Sequence, residues 1–317
     1  MLVSILMITY NHEKYVCKAL EGVLNQMCDF DFEVVLANDN STDNSDLLIK
    51  EYVSNHPKGF RVKYSNHEKN KGMYDNFIWA AKQCRGKYIA TCEGDDYWTD
   101  PLKLQKQVDF LEANPDYEVC FTNIRMVDEN DVITKEALIT DNRKTDYIKK
   151  DLPIWAPTLT RVYKNRNFNN LPKAPGMDTA MLLWQSQYGK IKFLNEVTGT
   201  YRVHEGGIYS SHSEAKRKEQ ILLTNLACLN LVETSLYSKY FGLIFKKLVE
   251  VRFLDASIFK KNKNLVKEAF QTYKAQLPLG LKFKIHFSFL LISIPFIESN
   301  KQIKDFLIKV LNRLFIY

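Results

Sequence analysis

Two adjacent aspartates, Asp95 and Asp96, follow a short apolar run and stand in a turn that contains Gly94. Adjacent carboxylates repel each other. A divalent cation with oxygen ligands, shared with the phosphates of a substrate, would offset that repulsion. The alternative is a structural turn and helix cap ahead of Pro101, because Asp-rich turns are common. The pair therefore indicates either a metal–phosphate site or a local turn.

Three more polar side chains stand where they could do chemistry. Asp39 ends another apolar run, so its carboxylate can accept hydrogen bonds from a base imide or a ribose, or form an Asx turn. Asp178 leads into a predicted helix and can act as a general base or as an N-cap. His204 can bind a metal or a phosphate, although a lone histidine is more often structural. Tyr97 and Trp98 can stack on a sugar ring or pack in the core.

The elements that must position these side chains alternate along the first part of the chain. Continuous apolar runs predict buried strands at residues 2–8, 32–37, 60–64, 87–92 and 119–123. Helical spacing predicts helices at residues 14–26, 44–54, 74–83 and 101–113. This alternation predicts an α/β fold with a mostly parallel sheet and helices on both faces. Ligands bind at the carboxyl ends of such strands, and polar clusters follow three of them at residues 9–11, 38–43 and 93–96.

The remainder of the chain is less regular and then helical. A hairpin turn at residues 128–131, a helix at 177–188 and a strand at 192–202 are predicted, and helical patterns begin near residue 214. We therefore expect an α/β domain at residues 1–210 and a basic, mostly helical region at residues 211–317.

Charge is distributed unevenly between these regions. Residues 211–317 carry 18 Lys and Arg against 8 Asp and Glu, whereas residues 1–210 carry 26 against 29. The acidic front part argues against a nucleic-acid partner. The basic rear part predicts contact with an anionic membrane surface, and a solvated helical face is the alternative. Residues 287–297 lack charge but are far shorter than the roughly 20 needed to span a bilayer. They predict an interfacial element or a buried helix contact.

The six cysteines are dispersed, with no Cys-x-x-Cys pair and no metal-ligand spacing. The chain opens on an apolar run with no basic segment or cleavage site typical of a leader. These features predict reduced, buried cysteines in a cytoplasmic protein. The basic region at residues 211–317 adds the expectation of a peripheral position on the inner face of the cell membrane.

In order and spacing, the motifs resemble those of family 2 glycosyltransferases with the GT-A fold. The resemblance covers about residues 1–210 and rests on the following segments. They are Val3-Ser-Ile-Leu-Met-Ile-Thr-Tyr-Asn11, Leu36-Ala-Asn-Asp-Asn-Ser-Thr-Asp43, Asn70-Lys-Gly72, Glu93-Gly-Asp-Asp-Tyr-Trp98, Pro101-x-Lys103-Leu104, Gly176-Met-Asp178 and Tyr201-Arg-Val-His204.

The resemblance implies a donor site. Thr9 and Tyr10 would line the base pocket, Asp39 would bind uracil or another pyrimidine, and Asp95 would lie near the ribose. Lys71 and Gly72 of the Asn-Lys-Gly motif would also lie at the donor. The family's acidic pair after the second strand is Asn38-Asp39 here, which keeps the carboxylate expected to touch the base. The family's Ala-Arg-Asn segment is Tyr74-Asp75-Asn76, so Lys69 or Lys71 is expected to replace the missing basic contact.

The resemblance also implies the reactive groups. Asp96, together with His204, would hold Mn²⁺ or Mg²⁺ against the diphosphate, and Asp178 would be the catalytic base. The predicted function is transfer of a sugar, with inversion, from a UDP-sugar or another nucleotide-diphosphate sugar. The acceptor is the hydroxyl of a glycan or lipid-linked glycan in cell-surface polysaccharide synthesis.

Three other functions would each fit part of the sequence. Transfer to a polyprenyl phosphate would not need Asp178 as a base. A non-catalytic nucleotide-binding subunit of a membrane complex is disfavoured, because Asp39, Asp96 and Asp178 are all present. A nucleotidyltransferase should have a basic phosphate loop after the first strand, and residues 10–13 are poor in cations.

Overall fold

A computed structural model of the chain describes residues 1–140, 142–207, 212–293 and 301–315. The chain divides into two compact units. The first comprises Met1–Leu171 and Trp184–Ser210, and the second comprises Pro172–Leu183 and Ser211–Tyr317. Residues 172–183 thus group with the C-terminal region.

The first unit is built on one mixed sheet. Its strands are β1 (Val3–Thr9), β2 (Phe32–Asn38), β3 (Val62–Asn66), β4 (Tyr88–Thr91), β5 (Tyr97–Trp98), β6 (Tyr117–Val127), β7 (Ile133–Lys135), β8 (Asp146–Tyr147), β9 (Val162–Lys164) and β10 (Lys190–Arg202). The main order is β3-β2-β1-β4-β9-β6-β10-β5, with β7 beside β6 and β8 beside β10. The strands β1 to β4 pair in parallel, as do β6 and β10, whereas β9 is antiparallel to both of its neighbours. The mostly parallel sheet predicted from the sequence is confirmed.

Helices of this unit complete its core. They are α1 (Val16–Leu24), α2 (Ser45–Asn55), α3 (Met73–Gln83) and α4 (Lys103–Ala113), and α5 (Met177–Gln185) ends in this unit. In α1 the buried residues are Val16, Ala19, Leu20, Val23 and Leu24. That spacing places them on one helix face, where they join one apolar core that also contains residues of β1 and β2. The strands that carry the polar clusters at their ends are therefore anchored in this apolar core.

The second unit is helical, as predicted for the C-terminal region. Its helices are α6 (Glu214–Ala227), α7 (Tyr237–Arg252), α8 (Ala256–Tyr273), α9 (Leu279–Leu291) and α10 (Lys301–Leu314). The central helix is α7, which is buried along most of its length and packs against α6, α8 and α10. In the described parts of the chain, every helix is too short or too polar to cross a bilayer.

Several local expectations were wrong. The third strand begins at Val62, after a short helical turn at Gly59–Arg61, and the helix expected to reach residue 188 ends at Gln185. Cys17 and Cys28 are only half-buried, although all six cysteines are free. The predicted interfacial segment 287–297 is only partly described, since residues 294–297 lie outside the described ranges. Within it, Ile292 is buried rather than exposed.

Candidate active site

The predicted polar clusters lie at adjacent strand ends of the first unit. Strand β1 lies between β2 and β4, and all three run parallel. The residues that follow these strands, Asn11, Asp39 and Asp95, therefore occupy the same edge of the sheet. A backbone hydrogen bond of 2.9 Å from the amide of Asp39 to the carbonyl of Thr9 ties the first two strand ends together.

Asp39 organises the turn that contains Lys71 and Gly72. Its Oδ1 accepts a hydrogen bond of 2.7 Å from the Lys71 amide, and its Oδ2 accepts one of 2.8 Å from the Gly72 amide. Asn70 donates to the Asp39 carbonyl at 3.1 Å. Gly72 has φ of +81°, a conformation that favours glycine. The three predicted donor residues are thus assembled into one structure, and each carboxylate oxygen retains a lone pair for a further donor.

The loop after β1 is fixed by side chains from the loop after β2. Ser41 Oγ accepts from the Asn11 amide at 2.9 Å, Ser45 Oγ from the His12 amide at 3.0 Å, and Asp43 Oδ2 from the Glu13 amide at 2.9 Å. Of the two predicted base-pocket residues, Thr9 is buried, whereas Tyr10 is 44% exposed.

Asp95 and His204 meet at the carboxyl end of β4. Asp95 Oδ2 lies 3.1 Å from His204 Nε2 and 3.6 Å from His12 Nε2. Burial raises the pKa of Asp95, but the adjacent His12 and His204 outweigh this and hold it below its usual value. Burial lowers the pKa of His12, which favours the neutral imidazole that binds metals. Potential ligand atoms of His12, Asp95 and His204 all lie within 4.8 Å of one another. The sequence did not predict that His12 would join this group.

Asp96 is not part of this group, although it is the next residue. It is 4% exposed, and its Oδ1 accepts a hydrogen bond of 2.9 Å from the Arg202 amide. Burial and the neighbouring Asp95 carboxylate raise the pKa of Asp96 well above its usual value. The structure thus places Asp95, expected near the ribose, beside the histidine that was expected to share a metal with Asp96.

Arg202 is a buried positioning residue that sequence reasoning missed. Its guanidinium donates to Asp131 Oδ1 at 2.8 Å and to the Asp95 carbonyl at 3.2 Å. It also lies 4.6 Å from the ring centroid of Tyr15, whose ring is 4.9 Å from that of His204. The available signal was its place two residues before His204, at the end of a long strand. Through these contacts Arg202 fixes the approach of His204 to Asp95.

Trp98 serves the core rather than a sugar. It is 3% exposed, and its indole N–H donates to the Leu159 carbonyl at 2.6 Å. Lys103 Nζ lies 4.0 Å from its ring centroid, and that lysine is fully buried. The packing alternative therefore holds for Trp98.

Asp178 belongs to the second unit, in the first turn of α5. The carbonyl of Gly176 accepts hydrogen bonds of 3.1 Å from the amides of both Thr179 and Ala180. Gly176 is therefore at the N-cap position, and Asp178 lies inside the helix. Asp178 is the acidic residue of the first turn of α5, where a negative charge interacts favourably with the helix dipole.

Comparisons with known proteins extend this picture. A profile of the family described as Glycosyl transferase family 2 matches residues 4–180. An uncharacterized protein of Mycobacterium tuberculosis is 35% identical over 218 residues, which cover 68% of this chain and 62% of that protein. The chain thus spans about three fifths of the length of this curated relative.

Two solved structures share the fold. S. aureus TarS 1-349 in complex with UDP-GlcNAc aligns with a TM-score of 0.66 at 18% identity, over 99% of this chain and 91% of that one. Mannosyltransferase PcManGT from Pyrobaculum calidifontis, in complex with GDP-Man and Mn²⁺, gives 0.57 at 13% identity over 99% and 85%. These likenesses confirm the predicted GT-A fold.

Proposed function

The chain belongs to glycosyl transferase family 2, and we propose that it transfers a sugar from a nucleotide-diphosphate sugar to an acceptor hydroxyl. The observation that carries this proposal is the convergence at one sheet edge of two polar groups. One is Asp39 with the 70–72 turn, and the other is Asp95 with His204. The first group fits the base and ribose of a nucleotide. The second group fits a diphosphate that is held through a divalent cation. We propose a UDP-sugar as donor, because TarS, which shares the fold, was solved with UDP-GlcNAc.

The residues at the second group fit a divalent cation, Mn²⁺ or Mg²⁺. Asp95 Oδ2 and His204 Nε2 are 3.1 Å apart. Two ligands at about 2.1 Å from one ion and at right angles are separated by about 3.0 Å. We therefore propose Asp95 and His204 as ligands, with Asp96 as a positioning residue whose Oδ1 accepts the backbone amide of Arg202, two residues before His204. When bound, the cation supplies electrostatic stabilisation for the departing diphosphate.

The proposed transfer is a single displacement. The acceptor oxygen forms a bond to the anomeric carbon, and the bond from that carbon to the diphosphate oxygen breaks, with its electron pair leaving on the nucleotide. Asp178 takes the proton of the acceptor hydroxyl, whose high pKa makes a base necessary. Attack opposite to the leaving group inverts the anomeric centre, so no second carboxylate acts as nucleophile.

We propose a glycan or lipid-linked glycan of cell-surface polysaccharide as the acceptor. Transfer to a polyprenyl phosphate is the second candidate, since that acceptor is already an anion and needs no base at Asp178. A cytoplasmic location on the inner face of the membrane suits either acceptor.

A row of exposed apolar side chains on α9 supports the membrane proposal. These residues, spaced along one helix face, are Leu279 (82% exposed), Phe283 (78%), Phe287 (41%) and Leu290 (69%). Residues 279–293 contain Lys282 and Lys284 but no acidic residue. Each basic residue near an anionic surface contributes about 1 kcal/mol. The occupant we propose for this face is therefore an anionic lipid bilayer.

Vesicle co-sedimentation tests the membrane proposal. We expect binding to anionic vesicles, loss of binding in high salt, and little binding to zwitterionic vesicles. Phe283→Ser with Leu290→Ser should abolish sedimentation. Leu47→Ser with Phe60→Ser, which changes two equally exposed apolar residues of the first unit, should not. Equal recovery in the supernatant with both lipids would contradict a membrane partner and favour a protein contact.

A donor screen tests the transferase proposal. Purified protein with Mn²⁺ is incubated with a panel of nucleotide sugars, and hydrolysis and thermal shift are measured. We expect a UDP-sugar to give both signals. Nucleotide binding without hydrolysis or transfer of any donor would favour the non-catalytic nucleotide-binding alternative.

A further inference from the structure

The ring of His12 lies in the site and makes no hydrogen bond to any residue that the structure describes. The ring is largely buried, with 15% of the side chain exposed, and its Nε2 stands 3.6 Å from Asp95 Oδ2. That distance is too long for a hydrogen bond. Its Nδ1 is buried and has no hydrogen-bond partner among the described residues. A buried, unpartnered imidazole is costly, so this ring requires an explanation.

The backbone holds His12 in this position. Its backbone amide donates a hydrogen bond of 3.0 Å to Ser45 Oγ, and its carbonyl accepts hydrogen bonds of 2.9 Å from the amides of Tyr15 and Val16. The preceding Asn11 has φ of +56°, a conformation that asparagine tolerates better than most residues. The ring therefore lies beside Asp95 because the loop after β1 is fixed at both ends.

Gly94 and Thr9 form the wall behind the ring. A Cβ on Gly94 would lie 2.6 Å from Thr9 Oγ1 and 3.0 Å from His12 Nδ1, so only glycine leaves room there. Thr9 Oγ1 is also buried without a hydrogen-bond partner among the described residues. Metal-binding histidines commonly donate their second ring N–H to an oxygen acceptor. Thr9 Oγ1, which can accept a hydrogen bond, thus lies on the Nδ1 side of the His12 ring, while Nε2 lies on the side of Asp95.

The distances from Asp95 to the two histidines match those between ligands of one ion. Asp95 Oδ2 is 3.1 Å from His204 Nε2 and 3.6 Å from His12 Nε2. Ligands at about 2.1–2.2 Å from a common ion lie about 3.0 Å apart at right angles and about 3.5 Å apart in a tetrahedron. Both distances therefore agree with ligands around one cation.

We propose that His12 is a third protein ligand of the divalent cation, and that the resulting two-imidazole, one-carboxylate site selects Mn²⁺, Co²⁺ or Zn²⁺ over Mg²⁺. The proposal rests on the metal-dependent transferase function above and adds a ligand and a selectivity to it. Imidazole nitrogen favours transition metals, whereas Mg²⁺ prefers an all-oxygen shell that includes several waters. Removing one imidazole should therefore weaken Mn²⁺ and Co²⁺ binding more than Mg²⁺ binding.

The test measures metal binding without relying on turnover. Mn²⁺ affinity is measured by electron paramagnetic resonance in the presence of UDP, with Mg²⁺ and Co²⁺ as competitors, for the wild-type chain and His12→Gln. We expect the Mn²⁺ Kd to rise at least tenfold in His12→Gln, and its ratio to the Mg²⁺ Kd to move towards one. Pulsed resonance should detect two directly bound imidazole nitrogens in the wild type and one in the variant.

The control is His67→Gln. His67 is also buried in the first unit, but its Nε2 lies 2.9 Å from Asn76 Oδ1 and it is not part of the metal group. This variant should keep the wild-type Mn²⁺ Kd and both nitrogen signals. Thermal melting establishes that both variants are folded.

The outcomes separate this inference from the function on which it rests. Wild-type Mn²⁺ binding and sugar transfer, with two nitrogen signals retained in His12→Gln, would overturn the role of His12 and leave the transferase intact. A wild-type chain that binds no divalent cation would overturn both. A His12→Gln chain that melts at low temperature is replaced by His12→Asn, for which the same nitrogen count decides.

Discussion

The double hydrogen bond from Asp39 to the 70–72 turn allows its structural and donor-binding roles to be separated. In Asp39→Asn one oxygen remains as an acceptor, but the new NH₂ group faces a backbone N–H at a former distance of 2.7 or 2.8 Å. One charge-assisted hydrogen bond, worth about 1.5–3 kcal/mol, is lost. For a domain of this size, about 2 kcal/mol lowers Tm by about 4–8 °C.

Donor binding should fall as well, because Asp39 is proposed to accept a hydrogen bond from the base. Loss of that bond, again about 1.5–3 kcal/mol, corresponds to roughly a 10- to 150-fold increase in Kd for UDP. Calorimetric titration of UDP in EDTA measures this effect without the metal. The affinity of UDP in EDTA should then report the base and ribose contacts alone.

Asp43→Asn is the matched control. Asp43 also holds a loop through two backbone amides, accepting 2.9 Å from Glu13 and 3.0 Å from Ser45. The same substitution should therefore lower Tm by a similar amount and leave the UDP affinity in EDTA unchanged. An Asp39→Asn chain with reduced Tm but wild-type UDP affinity would refute the donor contact. A chain with unchanged Tm would refute the hydrogen-bond argument itself.

Three further outcomes are expected. Asp96→Ala should lower turnover by about 100-fold or more and remove metal-dependent nucleotide binding, since it removes the acceptor of the Arg202 amide and so displaces His204 from the proposed cation; full wild-type activity in EDTA would contradict metal dependence. Asp178→Asn should lower kcat by about 10²–10⁴-fold with unchanged donor Kd, whereas near-normal transfer would favour the polyprenyl phosphate acceptor. Burial lowers the pKa of Lys103 to about 7, so the unfolded chain binds more protons than the folded one between pH 7 and 10.5, and stability should rise with pH in that window. Chemical denaturation should show this slope, about 1.4 kcal/mol per pH unit, flattened in Lys103→Met, and parallel slopes would contradict the buried, neutral amine.

Sequence periodicity predicted the parallel framework because the strands β1, β2 and β4 are buried on both faces. The sequences of such strands are continuous apolar runs, and this pattern differs from the helical spacing of apolar residues in α1. It did not predict β9, whose three residues are too short to show a period. That strand exists because its edges pair with β4 and β6, a long-range contact that no local pattern records. Because β9 is antiparallel to both β4 and β6, those two strands run in the same direction. Strand β10 is parallel to β6, so it ends at the same edge of the sheet and places His204 at the site.

The residues of the candidate site also fall into two sets, those that the sequence singled out and those that it did not. The placement of Asp39 and Asp95 at one edge of the sheet was predictable because each follows a buried parallel strand, and His204 was singled out by its place after a later predicted strand. His12 was not singled out, since one histidine in a polar loop has no spacing signal. The usable signal was topological: residue 12 follows the strand beside β4, whose end carries Asp95. Arg202 was missed for another reason, because its role depends on Asp131 and Tyr15, which are distant in sequence.

The loops of this site are fixed mainly by hydrogen bonds that involve backbone amides. Asp39 holds the 70–72 turn, residues 41–45 hold the loop after β1, and Asp96 receives the amide of Arg202. Side chains fixed by backbone contacts need little reorganisation when charge develops on a leaving group, and preorganised dipoles are the main source of electrostatic catalysis. This explains why the two adjacent aspartates have different surroundings. Asp96 accepts the backbone amide of Arg202, which lies two residues before His204. Asp95 is therefore the aspartate that faces the histidines and the proposed ion.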